Sequence, residues 1–349
     1  MKILVTGGTN GMGKGVAKVL AGIDNQIHEV IILCRSKELG EATIREIESS
    51  SGNKNVSIIL CDLAKLSDVR LAINEIQSKH KFLDCIFINA GLGYAAKRVE
   101  TEDGMDSHFQ VNYLSQFMLT LNLLNLLENS ENGGRVIFNV TRGGKIFWDD
   151  IQMKRNWGFE NGIHQAMVAK RMFLSRLHDL HRSMEGSKLS FIGFEISKTV
   201  WSNQINIIPF SMRTMARVMR FFGTFISIEE CGKIMAPLFT ENQEESLKKS
   251  GKFITWKKNN FIEINEDNFV FDHEMQDRLW KTSLELCKDQ KTTQIAEKLQ
   301  HVVRVDHQLL DNARPNQARV EGVRGDIARI ASLVADLRSQ LTGTSGANG

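Results

Sequence analysis

Tyrosine is nearly missing from this chain. Two occur in 349 residues, Tyr94 and Tyr113, so few sites can offer a phenolic proton. The cysteines are scattered: Cys34, Cys61, Cys85, Cys231 and Cys287 show no CxxC and no Cys/His spacing. That argues against a structural zinc site, and no metal is expected. An odd number of dispersed cysteines fits reduced thiols in a cytosol-like compartment. No stretch of eighteen apolar residues occurs, so no bilayer-spanning helix is expected. A strand pattern at Met1-Lys2-Ile3-Leu4-Val5 leaves no room for a signal peptide, which makes cytoplasm the expected location. A net charge of +3 without a Lys/Arg block excludes nucleic acid as the expected partner.

What is present describes a soluble globular protein. Hydrophobic residues make up 42% and charged residues 24%, enough for a substantial core. Short apolar runs recur at Lys2–Thr6, Val30–Cys34, Val56–Leu60, Leu83–Ile88, Arg135–Val140 and Leu189–Phe194. Helix-length segments separate them: a pattern through Ala21, then Glu38–Ser49, Leu66–Lys79, Met105–Leu127 and Gln165–Met184. Continuous apolar strands alternating with helices predict an α/β fold, a doubly wound parallel sheet of Rossmann type. Its ligand crevice should lie at the carboxyl ends of the strands.

The first strand-to-helix turn reads Thr6-Gly7-Gly8-Thr9-Asn10-Gly11-Met12-Gly13. Gly7 permits a tight exit from the strand, Gly11 has no side chain to block a pyrophosphate, and Gly13 lets the helix approach the sheet. Backbone N–H groups at the helix start would meet the phosphates. This TGxxxGxG pattern resembles that of short-chain dehydrogenases/reductases, and further matches follow in order. Asp62-Leu63 stands where that family has an acidic residue beside adenine. Asn89-Ala90-Gly91 reproduces its NAG motif. Thr101-Glu102-Asp103-Gly104 with Phe109-Gln110-Val111-Asn112 is similar to retinol-dehydrogenase and protochlorophyllide-reductase relatives, with Asn112 at the family's structural and proton-relay asparagine. Ser250-Gly251-Lys252-Phe253 and Arg278-Leu279-Trp280 resemble the close of that subgroup, so the likeness covers residues 1–287.

An acidic residue after the second strand would bind a ribose 2′-OH and repel a 2′-phosphate. The chain has Cys34-Arg35-Ser36 there. Arg35 can give a 2′-phosphate a charge-assisted contact, so NADP(H) is expected over NAD(H).

The resemblance fails at the catalytic residues. It implies a tyrosine as general acid or base, a lysine four residues later and a serine after the fifth strand. Lys170 is in place, but Ala166 stands at the tyrosine and Arg142 at the serine, with Thr141 one position early and pointing the other way on a regular strand. The Pro-Gly turn beside the nicotinamide is replaced around Glu195-Ile196-Ser197. Substitute groups are His164, two residues before Ala166 and facing another way if already helical, Tyr94 after the NAG motif, and Arg142 as a fixed cation for an oxyanion. Each also has a plain structural reading, as a helix residue, a loop aromatic and an ion pair. Asn112 and Lys170 can persist by bonding backbone or ribose groups.

Residues 205–228 fall where such folds cover an apolar substrate. Met212, Met215, Met219 and Phe222 are at helical spacing beside Arg213, Arg217 and Arg220. A basic amphipathic helix can lie on a membrane surface; the plainer expectation is a lid packing its methionines on the core. Residues 288–349 read as a helical extension. Val320, Val323, Ile327, Ile330, Val334, Leu337 and Leu341 form an a/d seam, preceded by Ile295, Leu299, Val302 and Leu309 and interrupted near Asp306, Pro315 and Asn316. A coiled coil over residues 320–341 predicts a homo-oligomer, and residues 342–349 read as a flexible end. The change of composition also permits an appended module. Two function classes stay open: a cofactor-binding pseudoenzyme serving as sensor, scaffold or assembly subunit, and an active reductase of a small apolar carbonyl or alkene with a non-standard acid.

Overall fold

A computed structural model describes residues 1–23, 28–184, 186–202, 205, 210–221 and 223–301. The chain divides into two units, residues 1–297 and 298–349, and the architecture below is that of the first. The expected seam over residues 320–341, its upstream Val302 and Leu309, and Phe222 all lie outside the described residues.

Strands β1 (Lys2–Thr6), β2 (Glu29–Cys34), β3 (Val56–Leu60), β4 (Cys85–Ile88), β5 (Arg135–Asn139) and β6 (Ser190–Glu195) are parallel neighbours. A two-residue pair, β7 (Thr199–Val200) with β8 (Phe225–Ile226), stands apart. Strands β9 (Phe253–Lys257) and β10 (Asn260–Glu263) complete the main sheet, in the order β10-β9-β6-β5-β4-β1-β2-β3. Residues of β4 are buried at all four positions, as a central strand covered on both faces requires. The edge strand β3 keeps Ser57 and Leu60 more open. Chain direction of growth reverses at β1, which pairs Ile3 with Val30 of β2 on one side and with Cys85 of β4 on the other. The crevice of the doubly wound sheet therefore opens beyond Thr6 and Ile88.

On one face, α1 (Gly11–Gly22) packs Val16 and Leu20 with Met235 and Phe239 of α8 (Ile228–Thr240) over Val5 and Phe87. The two helices touch through backbone: a Cβ on Gly15 would fall 1.8 Å from the Ile228 carbonyl oxygen. On the other face lie α5 (Ser115–Glu128), α6 (Phe159–Arg182) and α10 (His273–Cys287). Their aromatic cluster has Phe117 and Phe173 ring centres 4.8 Å apart and Phe117 and Trp280 5.4 Å apart, with Phe138 of β5 against Phe173. Helices α2 (Lys37–Ser51), α3 (Leu66–Lys79), α4 (Ser107–Phe109), α7 (Phe210–Phe221) and α9 (Gln243–Lys249) fill the connections.

Three differences from the sequence expectation have physical causes. The single helix expected over 105–127 is interrupted by a π-helical turn, Gln110–Leu114, centred on Asn112. Helix α6 begins at Phe159, six residues before the expected start, because the helix-weakening Gly162 is seated against the His108 ring. Strands β9 and β10 join through Lys258 and Asn259, both at positive φ (51° and 60°). That is the mirror-image turn of a tight hairpin, made without the glycine that usually announces it.

Candidate functional site: a dinucleotide crevice

The glycine loop is built as its spacing demands. Gly7 and Gly11 hold φ of 69° and 53°, conformations that cost an ordinary side chain. A Cβ on Gly13 would fall 2.5 Å from the Gly7 carbonyl oxygen and 2.6 Å from Asn89 Nδ2. Asn10 precedes α1 with extended backbone and gives no side-chain cap, so the N–H groups at the head of this twelve-residue helix stay available to an anion. Thr9 and Asn10 are half-buried beside it, while Met12 is buried under the helix start.

Thr6 ties this loop to the next strand end. Its hydroxyl donates to the Phe87 carbonyl at 3.0 Å and accepts from the N–H groups of Asn89 (2.9 Å) and Ala90 (3.0 Å). Asn89 Nδ2 donates to the Thr6 carbonyl, and Asn139 Nδ2 donates to Asn89 Oδ1. Gly91 is exposed, with Asn112 Oδ1 3.2 Å from where a Cβ would stand. Asn112 clamps the neighbouring Leu92, accepting from its N–H at 2.6 Å and donating to its carbonyl at 3.1 Å. The π-helical turn thus aims Asn112 at the loop after β4 rather than along the helix.

At the ribose and adenine end, Arg35 is exposed just after β2 and makes no ion pair among the described residues. Ser36 beside it caps α2 through Leu39 N–H. Asp62 Oδ1 accepts from Ala64 N–H, while the buried Leu63 gives its carbonyl to Ser115. Gly7, Gly11, Gly13, Arg35, Asp62, Asn89, Ala90 and Gly91 thus line the carboxyl ends of β1, β2, β3 and β4, which is a fit for an extended dinucleotide.

The substituted residues sit one strand further along. Ala166 is fully buried on α6, one turn before Lys170, which is 1% exposed. The ammonium of Lys170 donates to the Asn139 carbonyl at 3.3 Å, and burial pushes its pKa down to about 7. Arg142 is half exposed and pairs with Glu195: Nε to Oε2 is 2.5 Å, and the Arg142 N–H also reaches Oε1. An ion pair therefore bridges the ends of β5 and β6 where the resemblance implies a serine. Thr141 is exposed and takes no part in that bridge. His164 packs its Cβ against Gly144, on the side of α6 that carries Arg171, whose guanidinium donates to the Gly143 carbonyl at 2.7 Å. It does not share the face of Ala166 and Lys170. Tyr94 packs against Phe159 at the first turn of α6, the tilted rings 5.1 Å apart between centres. Tyr113 is buried, its hydroxyl 2.7 Å from Ser283 Oγ.

The fold agrees with known proteins. The family model described as short chain dehydrogenase matches residues 1–148. Over those residues the chain is similar to the short-chain dehydrogenase/reductase family. A polyprenol dehydrogenase of Danio rerio is 34% identical over 172 residues, 48% of this chain and 52% of the relative. Human retinol dehydrogenase 11 is 30% identical over 189 residues, 53% of this chain and 57% of the relative. These curated relatives are matched over about half their length, and they point to the retinol dehydrogenase-like subgroup. Among solved structures, L-sorbose reductase of Gluconobacter frateurii, in complex with NADPH and L-sorbose, aligns with a TM-score of 0.55 at 14% identity, covering 73% of this chain and 94% of its own. That likeness speaks for the fold.

Three roles in this crevice were not read from sequence: Thr6, expected at the cofactor, as a hydrogen-bond hub, the Asn139 carbonyl as the acceptor for Lys170, and Glu195 as the partner of Arg142. Asn139 stands in the strand end Phe138-Asn139-Val140, where a polar residue closing an apolar run was the available signal. Glu195 likewise closes β6.

Proposed function

We propose that the protein binds NADP(H) and has lost or altered hydride transfer, acting as a sensor, scaffold or assembly subunit. Ala166 carries the reading. A methyl group has no proton to give, and it stands buried one turn before a buried lysine. Both tyrosines are engaged elsewhere, Tyr113 with Ser283 and Tyr94 with Phe159. When bound, a nicotinamide dinucleotide would supply or accept hydride. This chain's residues would hold it: Gly11, Met12 and Gly13 N–H groups at the pyrophosphate, Asp62 at adenine, and Lys170 and Asn89 near the nicotinamide ribose. The absence of an acidic residue after β2, together with the exposed guanidinium of Arg35, supports NADP(H) over NAD(H). The NADPH complex of the sorbose reductase supports a dinucleotide in the same fold. A small apolar ligand accords with the names of the polyprenol and retinol relatives. Oligomerisation through residues 320–341 and a cytoplasmic location stay part of the proposal, the latter supported by five buried free thiols.

A second reading is an active NADPH-dependent reductase of an apolar carbonyl or alkene. Lys170 favours it, since an amine with a pKa of about 7 exchanges protons near neutrality. One experiment separates the two. The purified chain is titrated with NADPH by fluorescence, then assayed for NADPH oxidation with apolar carbonyls and alkenes. Tight binding without turnover supports the first. Turnover that Lys170→Ala abolishes sinks it, and failure to bind any dinucleotide sinks both.

A further inference from the structure

Helix α7 (Phe210–Phe221) is built inside out. With 3.6 residues per turn, Arg213, Ala216 and Arg220 share one side, while Met215 and Val218 lie across from them. Ala216 is the buried residue, 8% exposed, and the Arg220 guanidinium lies 4.3 Å from the centre of the Trp201 ring. The Ala216 side thus faces the protein, with Arg220 exposed at its edge over the Trp201 ring. The apolar side faces outward: Phe210 is 77% exposed, Met215 58%, Val218 54% and Met219 42%. The expected packing of a methionine stripe on the core is not what forms. A surface helix of a soluble protein ordinarily turns its apolar stripe inward, and a contiguous exposed apolar stripe marks an interaction site.

We propose that α7 docks the protein on an anionic lipid surface. Its outward phenylalanine, methionine and valine side chains enter the boundary between headgroups and acyl chains, and the exposed Arg217 at the edge of that side meets lipid phosphate. Charge favours this occupant. The helix carries three arginines and no acidic residue, so two copies laid against each other would oppose like charges, whereas an anionic surface complements them. Length and charge fit a helix lying in the interface plane; among the described residues no helix is long and apolar enough to cross a bilayer. The stacking of Arg220 on Trp201, itself 5.2 Å from Phe225, holds the Ala216 side inward and keeps the apolar side out. This inference does not depend on dinucleotide binding.

The test is flotation of the full chain with vesicles of phosphatidylcholine, alone or with added phosphatidylserine. We expect flotation with the anionic vesicles at low salt and release at high salt. Met215→Glu combined with Val218→Glu should weaken partition by at least about tenfold. Arg217→Ala should weaken it by roughly fivefold. These side chains are exposed, so the far-UV spectrum should match the wild type in both variants. The proposal is overturned if the chain stays off anionic vesicles, or if the double variant floats like the wild type. It is overturned equally if light scattering shows a dimer that the double variant splits while flotation is unchanged, since the stripe would then be an interface between copies.

Discussion

The crevice has two halves that differ in what they are made of. Its binding half, at the ends of β1 and β4, is mostly backbone: two glycines at positive φ, an uncapped helix start and the Thr6 hub. Its chemical half, at the ends of β5 and β6 and on α6, depends on side chains, and there a methyl group and an ion pair stand where the resemblance implies a phenol and a hydroxyl. Backbone architecture tolerates few substitutions, because Gly13 has no room for a Cβ. A reactive side chain can be exchanged while the helix that carries it persists. The difference teaches that retention of the fold and of the crevice says little about retention of the reaction.

The sharpest way to break the binding half is Gly13→Ala. The added carbon would fall within 2.6 Å of both the Gly7 carbonyl and the Asn89 amide, so the loop must shift. NADPH affinity measured by fluorescence titration should fall by roughly a hundredfold, about 3 kcal/mol. Unchanged affinity would mean that the cofactor does not rest on this loop.

The largest effect on stability belongs to the chemical half. Arg171 and Glu266 form a salt bridge with side chains 0% and 2% exposed, and the same arginine holds the Gly143 carbonyl of the loop after β5. Removing one partner leaves a buried charge alone. Glu266→Ala should cost about 3–5 kcal/mol in urea unfolding.

Lys170 then tests how the halves meet. Its pKa in the folded protein is about 7, below the ordinary lysine value of 10.5, so over that interval the unfolded chain binds the extra proton. Stability of the cofactor-free protein should rise as pH climbs from about 7 towards the unfolded value, and be lowest below that window. Lys170→Met should flatten this rise by several degrees of Tm. A pH profile identical to wild type would show that the amine is solvated in the absence of cofactor.

Legibility in the sequence follows the same division. The core of the sheet was readable because burial on both faces writes continuous apolar runs, as in Cys85-Ile86-Phe87-Ile88. The glycine loop was readable because its geometry is local. The partners that decide the chemical half are distant in sequence: Lys170 reaches Asn139 across 31 positions, and Arg142 reaches Glu195 across 53. No local pattern specifies such pairs. The outward turn of α7 was equally hidden, since an amphipathic pattern gives the spacing of the two faces and says nothing about which one meets the protein.

The smallest effect is the most informative about the ion pair that replaces the serine. Arg142 is half exposed, and solvent screens its pairing with Glu195. Arg142→Ser should therefore change stability by less than about 1 kcal/mol, far less than the buried Glu266→Ala. It should also leave NADPH oxidation where it was, because a hydroxyl that polarises a carbonyl accelerates nothing without a proton donor at Ala166. If Arg142→Ser alone raised turnover with an apolar carbonyl, the proton would have to come from a group already in the crevice. Lys170 would be that group, and the two halves would still be working as one site.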